Sequence, residues 1–230
     1  MLVTLNIRAT ELVMYILYAN PLSTYCAKVR AVLRHKNIVY EERSPPDGYG
    51  SEAYRAIVPM GTIPGFVASD VVLSESEAIC EYLEESHPFP SMMPVGIAAR
   101  AMARALARIH DCWVEPQIRA LYLHLNTHTR NNALATKHAE ALHQRLHEFA
   151  AYAAPEPFLC GSHLSIADCA WPTTLMQTRL ALESLRIPFS LPQALAPWLS
   201  ALNEHAAIAP GLDACEREMR AWLRRVNTKP

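Results

Sequence analysis

A proline-rich stretch divides this chain into two parts with different secondary-structure patterns. The stretch runs from Ser86 to Pro94 and places prolines at 88, 90 and 94, where they interrupt a helical pattern. Before it, apolar runs and amphipathic segments alternate in the order strand, helix, strand, then strand, strand, helix. After it the strand signals nearly vanish, and helices are predicted over 98–125, 134–151, 166–182 and 197–208.

These patterns predict two domains. We expect an α/β domain (βαβ followed by ββα) over residues 14–86, a linker over 87–97 and an all-α domain over 98–230. Pro116 falls inside the first long helix and should kink or divide it, so that its second half bends across the space between the domains.

The first strand and the first helix are joined by Ser23-Thr24-Tyr25-Cys26. A thioredoxin-like fold carries a C-x-x-C motif at this join, and the α/β domain is predicted to be thioredoxin-like. Serine in the leading position abolishes dithiol chemistry but keeps a hydrogen-bond donor at a helix N-terminus, where negative charge is favoured. An ordinary helix cap would also explain Ser23 or Thr24. The position suits a thiolate that belongs to another molecule.

A second polar turn, Gly61-Thr62-Ile63-Pro64-Gly65, directly precedes a predicted strand. The Ile63-Pro64 bond is a candidate for the cis form, which would turn the backbone of Ile63 outward to pair with an extended ligand. An ordinary trans turn is the alternative.

The third motif, Ser74-Glu75-Ser76-Glu77, begins the last helix of the first domain. Ser74 and Glu77 fit a capping box, which explains them structurally. Glu75 and Ser76 would also offer an acceptor for an ammonium group and a donor for a carboxylate beside free backbone N–H groups.

Together these motifs resemble the serine-type cytosolic glutathione transferases, in a bacterial-like form. The resemblance rests on Ser23-x-x-Cys26, on the Ile63-Pro64 turn, on the Glu75-Ser76 helix start and on an element near residue 165. It implies that glutathione is the co-substrate. Ser23 would donate to its sulfur, Ile63 would pair with its cysteinyl unit, and Glu75 and Ser76 would hold its γ-glutamyl end.

Two positions qualify the resemblance. Thr62 is counted among the glutathione-binding residues, but many relatives have lysine or glutamine at this position. One contact to the glycyl carboxylate is therefore either lost or supplied elsewhere, and Lys36 and Arg55 are the candidates to supply it. Cys26 is a possible secondary thiol, although a cysteine one turn inside a helix is more often inert packing.

The resemblance implies conjugation of glutathione to small hydrophobic electrophiles, as in detoxification. The electrophile is expected between the domains, against residues of the first long helix and Tyr25; the candidates in that helix are His110, Trp113, Val114, Gln117 and Tyr122. Two alternatives stay open: a glutathione-dependent isomerase, dehalogenase or thioltransferase that uses Cys26, and a non-catalytic binding module.

The composition of the chain excludes some classes of binding partner. The net charge of −1 argues against a nucleic-acid binder, and no segment approaches the roughly 20 apolar residues of a membrane helix. The scattered cysteines predict reduced thiols in the cytoplasm, and neither they nor the histidines predict a metal site. The resemblance also implies a homodimer.

Two further expectations concern the helical domain and the N-terminus. Ser165 and Asp168 fit an S-x-x-D cap. This cap resembles the buried capping box of the transferase helical domain, which implies a role in folding, so both residues are left out of the catalytic residues. Residues 1–13 lack the pattern of a signal peptide and are expected to be a disordered extension or to precede a true start at Met14.

Overall fold

The computed structural model describes residues 15–228. The expectations for residues 1–13 and for Met14 as a start lie outside the described residues, as does the end of the predicted helical domain at 229–230.

A four-stranded sheet forms the centre of the first domain. Its strands are β1 (Tyr15–Tyr18), β2 (Tyr40–Arg43), β3 (Gly65–Val67) and β4 (Val72–Leu73), in the order β2-β1-β3-β4. β1 pairs in parallel with β2, and β3 is antiparallel to both β1 and β4. Parallel β1 and β2 require a crossover, which is the helix α1 (Thr24–His35). The chain then adds a short α2 (Glu52–Arg55), which the sequence analysis did not predict, and α3 (Ser76–Ser86). The predicted thioredoxin-like βαβ-ββα order is confirmed.

The second domain is helical, as predicted, with different helix bounds. Its helices are α4 (Ile97–Ile109), α5 (Glu115–Tyr122), α6 (Asn132–Tyr152), α7 (Trp171–Leu185), α8 (Ala196–Glu204) and α9 (Ala209–Thr228). The last predicted helix ended at residue 208, so α9, whose first turn contains Pro210, was missed. Proline is well tolerated in the first turn of a helix, where its missing N–H has no intrahelical partner to lose.

A π-helical turn, His110–Val114, divides the long helix immediately before Pro116. The predicted division at this proline is confirmed. A π turn inserts one residue relative to an α-helix and so rotates everything after it about the helix axis. This rotation changes which side chains of α5 face the first domain.

One continuous apolar core joins the two domains. It extends from Leu17 and Val29 in the first domain to Trp171 and Trp198 in the second. Phe149 stacks on Trp171 with ring centroids 4.1 Å apart. Among residues 15–228, no helix combines the length and the apolar character needed to cross a membrane.

Candidate active site

Ser23 caps the N-terminus of α1. Its backbone is extended (φ −78°, ψ 119°), and its Oγ accepts a hydrogen bond of 3.2 Å from the backbone N–H of Cys26. Because the oxygen is the acceptor in this bond, the hydroxyl proton stays available to a ligand. Ser23 therefore combines a cap with a donor at the positive end of a 12-residue helix.

A cleft of about 770 Å³ opens at this helix end. It is bounded by the β1–α1 junction, the turn before β3, α5 and α9. The lining residues of the first domain include Ser23, Tyr25, Tyr49, Thr62 and Ile63, and those of the second are Glu115, Arg119, Tyr122, Glu218, Met219, Trp222 and Arg225. Its size is in the range of small-molecule sites.

The turn before β3 contributes Thr62 and Ile63 to this cleft. The Ile63-Pro64 bond is cis, as predicted. The backbone N–H and C=O of Ile63 make no hydrogen bond with other described residues. The carbonyl of Thr62, in contrast, accepts from the hydroxyl of the buried Tyr54 at 2.9 Å, which fixes the turn on the first domain.

Glu75 and Ser76 lie at the N-terminus of α3, but neither is among the residues that line the cleft. Glu75 has φ 72° and ψ 107°, a backbone conformation that costs a non-glycine residue about 1–3 kcal/mol and that clusters at functional sites. The predicted Ser74–Glu77 capping box is wrong. Glu75 takes the N-cap position without a side-chain bond, and the carboxylate of Glu77 instead binds the ammonium of Lys28 at 2.9 Å.

The structure contradicts the expected glycyl-carboxylate role of Lys36. This residue follows the C-terminal end of α1, at the other end of the helix from Ser23, and its buried ammonium binds Glu84 at 2.7 Å and the carbonyls of His87 and Pro90. Arg55 is exposed, and its guanidinium donates to the carbonyls of Gly50, Pro59 and Met60 rather than into the cleft.

Cys26 is fully buried, at 0% exposure. Burial raises the pKa of its thiol, and a hydrogen bond with Ser23 offsets only part of this effect. A thiol that reacts by exchange must be accessible and have a lowered pKa. Cys26 meets neither condition, so the prediction of inert packing fits better than the thioltransferase alternative.

The expected electrophile-binding residues are brought together only in part. Tyr25 and Tyr122 line the cleft, whereas His110, Trp113, Val114 and Gln117 do not. His110 and Val114 are buried in the helical domain, and Trp113 is 53% exposed with the guanidinium of Arg145 over its ring. The π turn explains this error, because it rotates α5 relative to α4, and the sequence carried no signal for this rotation.

Beyond the π turn, α5 presents Glu115 and Arg119 to the cleft, which sequence reasoning missed. Glu115 is only 5% exposed, and its Oε2 accepts from the hydroxyl of Tyr25 at 2.9 Å. Its Oε1 accepts from Nη2 of Arg119 one turn later. Burial and the neighbouring Glu115 raise the pKa of the Tyr25 hydroxyl, so this tyrosine remains a proton donor. The spacing of Glu115, Arg119 and Tyr122 at i, i+4, i+7 was the available signal.

Residues of α9 form the remaining wall of the cleft. Met219 and Trp222 lie one turn apart, and the ring of Trp222 packs against that of Tyr122 with centroids 5.6 Å apart. Their helical spacing is visible in the sequence, but no helix was predicted beyond residue 208.

A buried charge network joins the domains beside this cleft. The ammonium of Lys28, on α1, contacts Glu77 of α3 at 2.9 Å and both carboxylate oxygens of Asp111 at 2.9 and 2.7 Å. Asp111 also binds Nδ1 of His110, whose Nε2 lies 2.8 Å from the hydroxyl of Thr174. Burial lowers the pKa of His110, so the ring is neutral, donates through Nδ1 to Asp111 and accepts from Thr174.

The predicted capping box of Ser165 and Asp168 is confirmed at the turn Ile166–Asp168, and neither residue lines the cleft. All six cysteines are free. Residues 15–228 contain no cluster of histidine, cysteine or carboxylate side chains arranged to hold a metal ion.

Fold and cleft together define a class of protein: a thioredoxin-like domain joined to a helical domain, with a ligand-sized cleft between them. Residues 17–91 match the family model described as the glutathione S-transferase N-terminal domain. The chain is 31% identical over 214 residues to a probable maleylacetoacetate isomerase of Vibrio cholerae, a match that covers 87% of this chain and 98% of that protein. The chain belongs to the glutathione S-transferase family.

Other relatives carry a different name. A stringent starvation protein A homolog of Pasteurella multocida is 32% identical over 157 residues, which covers 66% of this chain and 69% of that protein. The match to the Histophilus somni homolog, at 38% identity, covers 42% of this chain and only 46% of that protein.

Solved structures share the fold at lower identity. A Tau class glutathione S-transferase from mango superposes with a TM-score of 0.78 at 19% identity, covering 92% of this chain and 98% of that one. A theta class glutathione S-transferase from Xanthomonas axonopodis pv. citri, with glutathione bound, superposes with a TM-score of 0.71 at 21% identity. This match covers 86% of this chain and 96% of that one.

Proposed function

We propose that the protein binds glutathione and transfers its thiolate to a small electrophile, with Ser23 as the hydrogen-bond donor to the sulfur. The observation that carries this proposal is the hydroxyl of Ser23, which caps α1 while it lines the cleft of about 770 Å³. Ile63 would pair through its unused backbone groups with the cysteinyl unit. Glu75 and Ser76, at the start of α3, would hold the γ-glutamyl end.

The energies are sufficient for this role. Lowering the pKa of a bound thiol by about two units requires ~2.7 kcal/mol of preference for the thiolate. A hydrogen bond to a charged sulfur supplies ~1.5–3 kcal/mol, and a helix N-terminus adds roughly 0.3–1 kcal/mol. No general base is needed. Neither of these two contributions involves a metal ion, and glutathione acts as co-substrate.

Replacing Ser23 with alanine should raise the pKa of the bound thiol most of the way back to that of the free thiol, because only the contribution of the helix N-terminus remains. The ultraviolet absorbance of the thiolate, followed against pH, measures this directly. We expect the wild type to hold the thiolate near neutral pH, and the alanine variant to lose it while still binding glutathione. Ser23→Thr is the matched control, because it keeps both the cap and the hydroxyl. If bound glutathione keeps the pKa of the free thiol in both the wild type and the alanine variant, Ser23 does not stabilise the thiolate and the conjugation mechanism is wrong.

A glutathione-dependent isomerase is the second candidate. The observation that favours it is the match to the probable maleylacetoacetate isomerase, which spans nearly the whole of that protein. Isomerisation regenerates glutathione, whereas conjugation consumes it. The glutathione balance after turnover of a cis-unsaturated carbonyl compound therefore separates the two reactions.

A non-catalytic binding module is the third candidate, because the name stringent starvation protein A describes no reaction. A wild-type protein that fails to bind glutathione at millimolar concentration would favour this candidate over the other two.

The cellular context and the oligomeric state are also proposals. Six free cysteines fit a reducing cytoplasm. Exposed apolar side chains on the helical domain, Met102 and Tyr152, contact each other through sulfur and hydroxyl at 3.3 Å and would contribute to a homodimer interface. Light scattering should then give twice the chain mass of 25.7 kDa. A mass of one chain at micromolar concentration would contradict the dimer.

A further inference from the structure

We propose that the second substrate is an unsaturated carbonyl compound that carries a carboxylate, and that the guanidinium of Arg119 binds this carboxylate. The inference rests on the proposed function, since it assigns the substrate class of the same cleft.

Arg119 is a fixed cation in the cleft. Its side chain is 56% exposed, yet its Nη2 is bound to the buried carboxylate of Glu115. Its guanidinium carbon lies 6.0 Å from the centroid of the Tyr122 ring, which gives the planar group an aromatic support. Held at both places, the guanidinium has less conformational freedom to lose when a ligand binds.

Glu115 serves as the anchor of this cation. One of its oxygens accepts from Arg119 and the other from Tyr25, whose hydroxyl also donates to the carbonyl of Asp111 at 3.4 Å. Both carboxylate oxygens therefore already have donors. The other charged residues of the cleft are the exposed Glu218 and Arg225, both on α9.

Arg119 retains donors for a ligand. The bond to Glu115 occupies Nη2, whereas Nε and Nη1 make no hydrogen bond with the residues that the structure describes. A guanidinium presents its N–H groups in a planar fork that matches a carboxylate. The neighbouring rings of Tyr122 and Trp222 form an apolar wall for the conjugated carbon atoms.

This arrangement disfavours a neutral aryl halide. Such a ligand would remove water from the guanidinium without replacing its hydrogen bonds, which is costly for a charged donor. An unsaturated acid satisfies the fork instead. The thiolate adds to the β-carbon, the electron pair of the double bond moves to the carbonyl oxygen, and the α-carbon then takes a proton from water, so the conjugate forms without an oxidant or a leaving group.

The test compares ethacrynic acid with its methyl ester, since both carry the same unsaturated ketone and only one carries a carboxylate. We expect Arg119→Gln to lower kcat/KM for the acid by about tenfold or more, mainly through KM, and for the ester by less than about twofold. Arg119→Lys should restore part of the activity with the acid, because it keeps the charge but not the fork. Arg220 lies on α9 but does not line this cleft, so Arg220→Gln is the matched control and should leave kcat/KM unchanged for both the acid and the ester.

The outcomes separate the two proposals. Equal losses on acid and ester, or none on either, with the variant's unfolding midpoint unchanged, would overturn the role of Arg119 and leave the proposed function intact. A wild type that binds no glutathione would overturn the proposed function and the substrate class together.

Discussion

Lys28→Met should lower the free energy of unfolding by about 3–5 kcal/mol, because it leaves two carboxylates without their shared cation at the domain boundary. Lys28 is 1% exposed, and its partners Glu77 and Asp111 have side chains only 17% and 10% exposed. Burial alone lowers the pKa of Lys28, but Glu77 and Asp111 more than offset this effect and raise it, so the ammonium is charged at all ordinary pH values. Chemical denaturation at neutral pH measures the loss.

The same variant should show a characteristic pH dependence. In the wild type, burial raises the pKa of Asp111, but His110 and Lys28 together lower it below its ordinary value. A carboxyl with a lowered folded pKa stabilises the fold above its unfolded pKa of about 3.9, and this contribution is lost as the pH falls through the folded value. Without Lys28 the folded pKa of Asp111 should rise. The difference in the free energy of unfolding between variant and wild type should therefore become smaller as the pH falls from about 5 toward 3.

Arg104→Met is the matched control for Lys28. Arg104 of α4 binds Glu81 of α3 at 2.7 Å and so also joins the two domains, but both side chains are more than a third exposed. Water screens such a pair, and its loss should cost less than about 1 kcal/mol. Two results would contradict the stabilising role of the buried ion pairs of Lys28. One is an equal loss of unfolding free energy in both variants, and the other is a difference between Lys28→Met and wild type that does not change with pH.

The first domain could be predicted from sequence because its signals are local. Apolar runs, the Ser23-x-x-Cys26 join and the Ile63-Pro64 turn each lie within a few residues, and the structure has the predicted order of elements. Thr62, Ile63 and Ser23 then meet in one cleft because α1 and the turn before β3 both adjoin the sheet.

The rest of the site depends on features without a local signal. The π turn, His110–Val114, rotates α5 and replaces the expected Val114 and Gln117 with Glu115 and Arg119 at the cleft. The charge of Lys28 suggests a solvated helix face, and its partner Asp111 lies 83 residues away along the chain. Long-range pairs of this kind are set by how the domains pack, which single-sequence patterns do not report.

Asp168→Ala should destabilise the protein by at least ~4 kcal/mol, because four donors lose their acceptor in the core. Asp168 is 0% exposed; its Oδ1 accepts from the backbone N–H of Leu159 at 3.0 Å and from the indole of Trp198 at 2.8 Å. Its Oδ2 accepts from the backbone N–H and the hydroxyl of Ser165 at 2.9 and 2.6 Å. Thermal unfolding and denaturant titration would both measure the loss.

Ser165→Ala separates the capping contribution of the serine hydroxyl from that of the carboxylate. This variant removes one of the four donors and leaves the backbone N–H, Leu159 and Trp198 bound to Asp168, so it should cost only ~0.5–2 kcal/mol. Burial raises the pKa of Asp168, because it disfavours the charged carboxylate, whereas the hydrogen-bond donors favour it. The loss of one donor therefore destabilises the fold most where the pH lies above the folded pKa and the carboxylate is ionised. Stability lost through Ser165→Ala should therefore grow as the pH rises from about 4 toward 7. A loss as large as that of Asp168→Ala would mean that the hydroxyl of Ser165, rather than the joint set of donors, holds the carboxylate.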